Sequence, residues 1–358
     1  MIAPRASVAA IAAYTPGEGA PEGAADPLKL SSNENPHGPS PSAAEAIAGA
    51  AGGLHRYPNV GHDALREAIG EAEGLDPARI VCGNGSDELL QLIALAYAGD
   101  GTEVLYPEHG FGMYPIVARA SGAEPIVAPE TDRRVDVEAM AAAATERTRV
   151  AYVANPANPT GTFLSHAELR RLREALTDTC LLVLDGAYAE FSEGYDGGAS
   201  LVDERPDIVM TRTFSKIHGL GGLRVGWMYA QEPVIDAIMR IRPPFNLSPM
   251  QQAGAAAAVR DRDWVERCRA DNAAQRARLA AGLRQRGIAA DDSEANFVLA
   301  RFASPAEADA AERVLRERGI IVRKVASYGF PEGLRISVGT EADMTRVLDA
   351  LEDHLAPA

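Results

Sequence analysis

Cysteine is scarce: the 358 residues hold only Cys82, Cys180 and Cys268, far apart and odd in number. That excludes a disulfide scaffold and suits a reducing compartment. No Cys-x-x-Cys and no His/Cys cluster has metal-ligand spacing, so no metal site is expected. No apolar run approaches the ~18 residues that span a bilayer. Positive charge is in deficit, with 35 Lys+Arg against 50 Asp+Glu and a net charge of −15. This argues against a nucleic-acid backbone or an anionic membrane as main partner, and leaves room for a local cationic pocket. The Ala-rich start runs through Tyr14-Thr-Pro-Gly17 into polar sequence, a poor match to a secretory signal. A cytoplasmic protein is expected.

Apolar residues are not lacking. At 46%, with 24% charged, they exclude a disordered chain, and the length suits a large domain with a smaller companion. Short apolar runs at 79–82, 103–106, 124–128, 149–153, 180–184 and 207–210 alternate with helical stretches. Such runs fit strands buried on both faces. Ser165 followed by Glu168 marks a helix start by a capping box. The alternation predicts an α/β fold: a mainly parallel sheet between helices. Residues 1–30, with Pro16, Pro21 and Pro27, read as an irregular arm. The large domain is expected over 31–235, with 31–50 open to joining the small one. The small α+β domain is expected over 236–358.

Four segments carry chemistry. In Cys82-Gly-Asn-Gly85-Ser86-Asp87-Glu88 a strand ends, glycines turn and a helix begins. Such a helix N-terminus is an anion site, or simply a well-capped helix. Asn158, in Ala154-Asn155-Pro-Ala-Asn158-Pro-Thr-Gly161, follows a strand where α/β sheets bind ligands, and suits a turn equally well. Asp185 closes an apolar strand, with Tyr188 three residues on. A carboxylate there either meets a cation or opens a loop. Lys216 stands between an apolar strand and the glycines of His218-Gly-Leu-Gly221-Gly222-Leu-Arg224. That placement makes it a candidate Schiff-base nucleophile, with Ser215 and Arg224 able to grip an anion beside it.

In order and spacing these segments resemble the fold-type I pyridoxal-phosphate aminotransferases. Within them the chain looks like the histidinol-phosphate aminotransferase family. The likeness runs almost end to end and includes Leu30-Ser-Ser-Asn33, Arg56-Tyr57-Pro58, Asn296-Phe297 and Leu334-Arg335-Ile-Ser-Val-Gly339. The resemblance implies that Lys216 holds pyridoxal 5'-phosphate and shuttles a proton. It implies that Asp185 keeps the pyridine nitrogen protonated, and that Asn158 and Tyr188 bond the ring oxygen. Gly85, Ser86, Asp87, Ser215 and Arg224 would surround the cofactor phosphate, and Phe111 would stack on the ring. Tyr57 resembles the tyrosine that reaches into a partner subunit's site, so a homodimer with shared active sites is implied.

For the substrate the resemblance points to Tyr14, Asn33, Arg323 and Arg335. Two guanidinium groups suit a phosphate dianion, while one suffices for a carboxylate. Lys324, next to Arg323, is expected to point to the opposite face. The implied reaction is transfer of an amino group between L-histidinol phosphate and 2-oxoglutarate by a ping-pong route. The alternatives are an aromatic or secondary-metabolite aminotransferase, a phospho-amino-acid decarboxylase of the same fold, and an idle regulator domain. The last needs an appended basic DNA-binding domain, which the acidic chain does not offer. His218 and Gly186 depart from the residues common in relatives.

Overall fold

The computed structural model describes residues 2–14, 17, 19 and 27–355. Seven strands form the large sheet, in the spatial order Ile80–Gly83, Gly226–Tyr229, Ile208–Thr213, Leu181–Asp185, Thr148–Ala154, Glu103–Pro107 and Glu124–Ala128. Gly226–Tyr229 runs antiparallel to both neighbours, and the other neighbouring pairs are parallel. This short strand follows a glycine-rich turn and is absent from the runs recognised by apolar patterning.

The strands look uniformly apolar because both faces are covered. Leu182 and Leu184 enter one apolar cluster, whereas Leu181 and Val183 enter the cluster on the opposite face. Successive side chains on a strand alternate, so a two-sided core demands an unbroken apolar run. Helix Ser86–Tyr97 supplies Leu89, Leu90 and Ile93 to the second cluster. Helix His166–Ala175 supplies Leu169 and Leu172 to the first, and its capping box forms as the sequence predicts, with Ser165 and Glu168 bonded reciprocally.

The smaller sheet has the order Leu28–Leu30, Ile320–Val325, Phe330–Ser337, Phe297–Arg301 and Ala289–Ala290. Its core is closed by Leu279 and Leu283 of the long helix Arg262–Gln285, Leu315 of Pro305–Glu317, and Leu351 of Glu341–Leu355. Lys324 is exposed and pairs with Asp309, on the face away from Arg323, as strand alternation requires.

Two expectations need correction. The arm is not irregular throughout: it contains a short helix, Ala6–Ala9, and the strand Leu28–Leu30, which pairs in parallel with Ile320–Val325. Proline and glycine density hid a strand whose partner lies some 290 residues away. The expected boundary after residue 235 also cuts helix Glu232–Ile241, whose Val234, Ile235 and Ile238 pack in the large-sheet core. Helix Pro249–Arg260 likewise places Ala255, Ala258 and Val259 there, against Pro41–Ala50 and Asp63–Glu73. Helix Pro41–Ala50 therefore sides with the large sheet, and the small core begins at the long helix. Its amphipathic pattern marks those helices as covering a sheet without saying which one.

The turn after Thr148–Ala154 is clamped by a single side chain. Asn155 donates from Nδ2 to Leu164 O (3.0 Å) and accepts at Oδ1 from Leu164 N (2.8 Å), all buried. Asn155→Ala should leave both backbone groups of Leu164 without these partners. We expect a loss of about 2 kcal/mol in urea unfolding, the usual penalty for stranding buried polar groups.

Candidate active site

Parallel pairing sends strand ends to one edge of the sheet, and the candidate side chains sit there. Asp185 ends its strand, with Ala154 and Thr211 as ladder partners on either side. Asn158 follows Ala154, Lys216 follows Thr213, Ser86 follows Gly83, and Phe111 follows Pro107. Gly226 reaches the same edge from the other direction, opposite Thr213 and Gly83, which places Arg224 beside it. A cavity of about 280 Å³ opens at this edge. It is lined by Tyr14, Asn33, Ser86, Asp87, Phe111, Asn158, Asp185, Tyr188, Ser215, Lys216, Arg224, Arg323 and Arg335, all of them anticipated from sequence. Gly85 turns behind the lining, and Tyr57 lies outside this cavity, 82% exposed and stacked on Phe245 at 4.5 Å.

Lys216 donates from Nζ to Ser32 O (3.1 Å). Burial disfavours its ammonium form, Arg335 adds repulsion, and its pKa falls to about 8. Asp185 is 4% exposed and shifts the other way, to about 6, because burial disfavours the carboxylate. Its Oδ2 accepts from the Tyr114 hydroxyl (2.9 Å) and its Oδ1 from Thr211 Oγ1 (3.4 Å). Neither donor carries a positive charge. A buried carboxylate facing a cavity with only neutral donors suits a cationic ring nitrogen as its third partner.

At the other end, Gly85 precedes helix Ser86–Tyr97 with φ +80°, and no side chain caps that helix. Its first N–H groups are therefore available to an anion. A side chain at 85 would meet Arg224 Nη2 at 2.5 Å. Arg224 donates to Ser215 Oγ (3.2 Å) and Asp87 Oδ2 (3.1 Å), so cation, hydroxyl and helix end converge. The site thus offers a phosphate cradle at one end, a lone carboxylate at the other, and a lysine between. These residues fit pyridoxal 5'-phosphate.

The remaining wall of the cavity is built mostly by the small sheet and the segment after the arm. Arg335 donates to Asn158 Oδ1 (2.5 Å) and Ser31 O (2.9 Å), while its Nε has no hydrogen-bond partner among the described residues. Asn33, at φ +55°, donates from Nδ2 to the Tyr188 hydroxyl (2.9 Å) and accepts at Oδ1 from Ser337 (3.0 Å). It thereby ties the segment after the arm to both sheets. Burial pushes the Tyr188 phenol up to about 12, so it stays a donor at neutral pH.

Sequence reasoning assigned no role to Tyr114, Thr211, Thr213, Ser32 or Tyr328. Tyr114 is fully buried and stacks on Tyr152 at 4.9 Å, with Phe111 edge-on at 5.9 Å. Its spacing from Phe111, three residues along a helix start, was the one available signal. His218 packs on Phe214 within a buried ionic group of Glu73, Glu190 and Arg212, where burial holds its pKa near 4. Gly186 is tightly packed: a Cβ there would lie 3.0 Å from Thr211 O and 3.1 Å from Arg212 Cδ, so a larger residue requires these neighbours to give by a few tenths of an ångström.

The Lys216 shift has a direct readout. Because burial favours the neutral amine, reductive methylation of Lys216 in cofactor-free protein should be half-maximal near pH 8, against about 10.4 for ordinary lysines. Peptide mapping across a pH series checks this, and a midpoint near 10 would contradict the burial effect.

Comparison with known proteins agrees with this geometry. The family model for aminotransferase class I and II matches residues 25–351. A histidinol-phosphate aminotransferase of Roseobacter denitrificans is 62% identical over 341 residues, 95% of each chain. One from Ruegeria pomeroyi is 57% identical over 348 residues, 97% of this chain and 96% of the relative. The crystal structure of the Sinorhizobium meliloti histidinol-phosphate aminotransferase in complex with pyridoxal-5'-phosphate superposes with a TM-score of 0.87 at 29% identity, covering 92% of this chain and 90% of that one. Among the described residues no helix is long and apolar enough to cross a membrane, and no cluster of His, Cys, Asp or Glu could hold a metal ion. With the match extending over nearly the whole chain, the protein belongs to the class I and II aminotransferase family.

Proposed function

We propose that the protein is a pyridoxal-phosphate-dependent histidinol-phosphate aminotransferase. It moves the amino group of L-histidinol phosphate to 2-oxoglutarate, yielding imidazole-acetol phosphate and L-glutamate in two half reactions. The observation that carries the substrate reading is the register of the small sheet. Arg323 and Arg335 are direct cross-strand partners and both line the cavity that holds Lys216. Like charges placed opposite one another repel, and a phosphate dianion between them relieves that repulsion.

Pyridoxal phosphate supplies the electron sink when bound. The chain's residues supply the rest. Arg224, Ser215 and the first N–H groups of helix Ser86–Tyr97 hold its phosphate. Asp185 holds the proton on the pyridine nitrogen, helped by Tyr114, which keeps Oδ2 in place. Asn158 and Tyr188 donate toward the ring oxygen, and Phe111 covers the ring face. With the cofactor bound, Lys216 would serve as the base that takes the proton from substrate Cα and returns it on the cofactor side, a role favoured by the burial that lowers its pKa to about 8. Arg335 binds the glutamate α-carboxylate in one half reaction and the histidinol phosphate group in the other.

The protein acts as a homodimer in this reading. Tyr57 projects from the surface beside Leu54, Val60 and Phe245, all at least 39% exposed, in keeping with a residue that serves the partner subunit's phosphate site.

Half-reaction titrations test the substrate. Wild type should prefer histidinol phosphate to phenylalanine. Arg323→Ala should lower the specificity constant for histidinol phosphate about 10–100-fold, the worth of one charge-assisted bond, and lower it less for phenylalanine. Preference for phenylalanine with an indifferent Arg323→Ala would point to an aromatic aminotransferase, and carbon dioxide release from a phospho-amino acid to a decarboxylase. Borohydride should fix the cofactor onto Lys216. Asp185→Asn keeps the shape and removes the charge, so the half reaction should slow on the order of 10³-fold in stopped-flow measurements.

A further inference from the structure

The two strands that bring Arg323 and Arg335 together are joined by the turn Ala326–Tyr328, and Tyr328 lines the cavity along with both arginines. We infer that Tyr328 is a specificity-determining residue of this anion pocket, its hydroxyl supplying a donor that a tetrahedral phosphate monoester uses and a planar carboxylate does not. The inference rests on the functional reading above.

Its ring is fixed from several sides. It packs in a small apolar cluster with Leu299, Val325 and Phe330. The Tyr328 carbonyl accepts a 2.6 Å hydrogen bond from His109 Nδ1, and the His109 ring lies 4.1 Å from Phe330. His109 belongs to the large-domain segment that also carries Phe111, so the turn is held against the cofactor-side wall. The residue is buried, 8% exposed, and borders the cavity.

The Tyr328 hydroxyl lies near a second one. Tyr14, from the N-terminal arm, lies near enough to Tyr328 for that phenol to raise its cost of ionising, and it feels the charges of Arg323 and Arg335. A Cβ built on Gly112 would lie 3.5 Å from Tyr14 Cε2 and 3.7 Å from Tyr328 Oη, so both phenols reach over the same point, with the Tyr14 ring edge-on to Phe111. Each phenol carries one proton that it can donate to an anion in the cavity. Burial raises the Tyr14 phenol to about 12, so it keeps its proton at neutral pH.

Oxygen geometry then discriminates. A carboxylate has two coplanar oxygens, which one guanidinium fork matches. A phosphate monoester has three terminal oxygens, and the third lies outside the plane of such a fork. The phenol pair is carried by the arm and the turn, and the guanidinium groups by the two strands, so the donors reach the pocket from separate elements.

Tyr328→Phe removes the hydroxyl and keeps the packing. Half reactions of the holoenzyme and this variant are compared with histidinol phosphate, histidinol and glutamate. We expect the half-saturation concentration for histidinol phosphate to rise about 10-fold at a nearly constant limiting rate, as loss of one such bond implies. Glutamate should shift by less than about threefold, and histidinol, which lacks the phosphate, likewise. Equal losses with histidinol phosphate and glutamate, or no change with either, would overturn the role of Tyr328. Failure of the wild type to convert histidinol phosphate would overturn the functional reading and this inference with it.

Discussion

The site depends on a backbone ladder. Thr148–Ala154, Leu181–Asp185 and Ile208–Thr213 run parallel, with Ala154 beside Asp185 and Asp185 beside Thr211. Parallel register makes all three strands deliver their following loops to the same edge. Asn158, Tyr188 and Lys216 come from three separate loops, yet their starting points are neighbouring strand ends. A slip of one residue would turn Asp185 to the other face of the sheet and bury it in an apolar cluster. Full burial of the strands on both faces opposes such a slip.

Around that edge the protein assembles groups whose protonation is governed by burial. Asp185 is raised and Lys216 lowered by the same desolvation, so a carboxylate and an amine within one cavity are drawn toward neutrality. Beneath the lysine loop lies a second layer, in which Arg212 bonds Glu190 (3.1 Å) and approaches Glu73 (3.5 Å) while stacking on Trp227. Arg212 lies between Thr211, which contacts Asp185, and Thr213, which contacts Ser215. The buried ion pairs therefore brace the strand that carries both contacts. Removing one partner would leave an uncompensated charge beside the site.

The two sheets divide the chemistry. The large one carries the lysine, the carboxylate and the phosphate cradle. The small one carries Arg323 and Arg335, which line the same cavity, and the arm crosses between the sheets through Leu28–Leu30 and Asn33. Asn33 touches Tyr188 on one side and Ser337 on the other, so the position of the small sheet relative to the cofactor side is fixed by side-chain bonds rather than by a shared ladder.

Much of this was legible in the chain itself. Lys216, Asp185 and Asn158 stand in contiguous motifs at strand ends, where an apolar run stops and glycine or proline begins, so their place on the sheet edge followed from local pattern. The α/β class followed for the same reason: strand and helix periodicities are written within short windows. Three things were decided only by tertiary structure. The strand Leu28–Leu30 exists because Ile320–Val325 is there to pair with it. Helices Glu232–Ile241 and Pro249–Arg260 joined the large core because an amphipathic face carries no address. Tyr114 meets Asp185 across 71 residues, and Tyr14 meets Tyr328 from opposite ends of the chain. Contacts of that span leave no periodic mark, since nothing in a local window records which distant surface a buried hydroxyl will face.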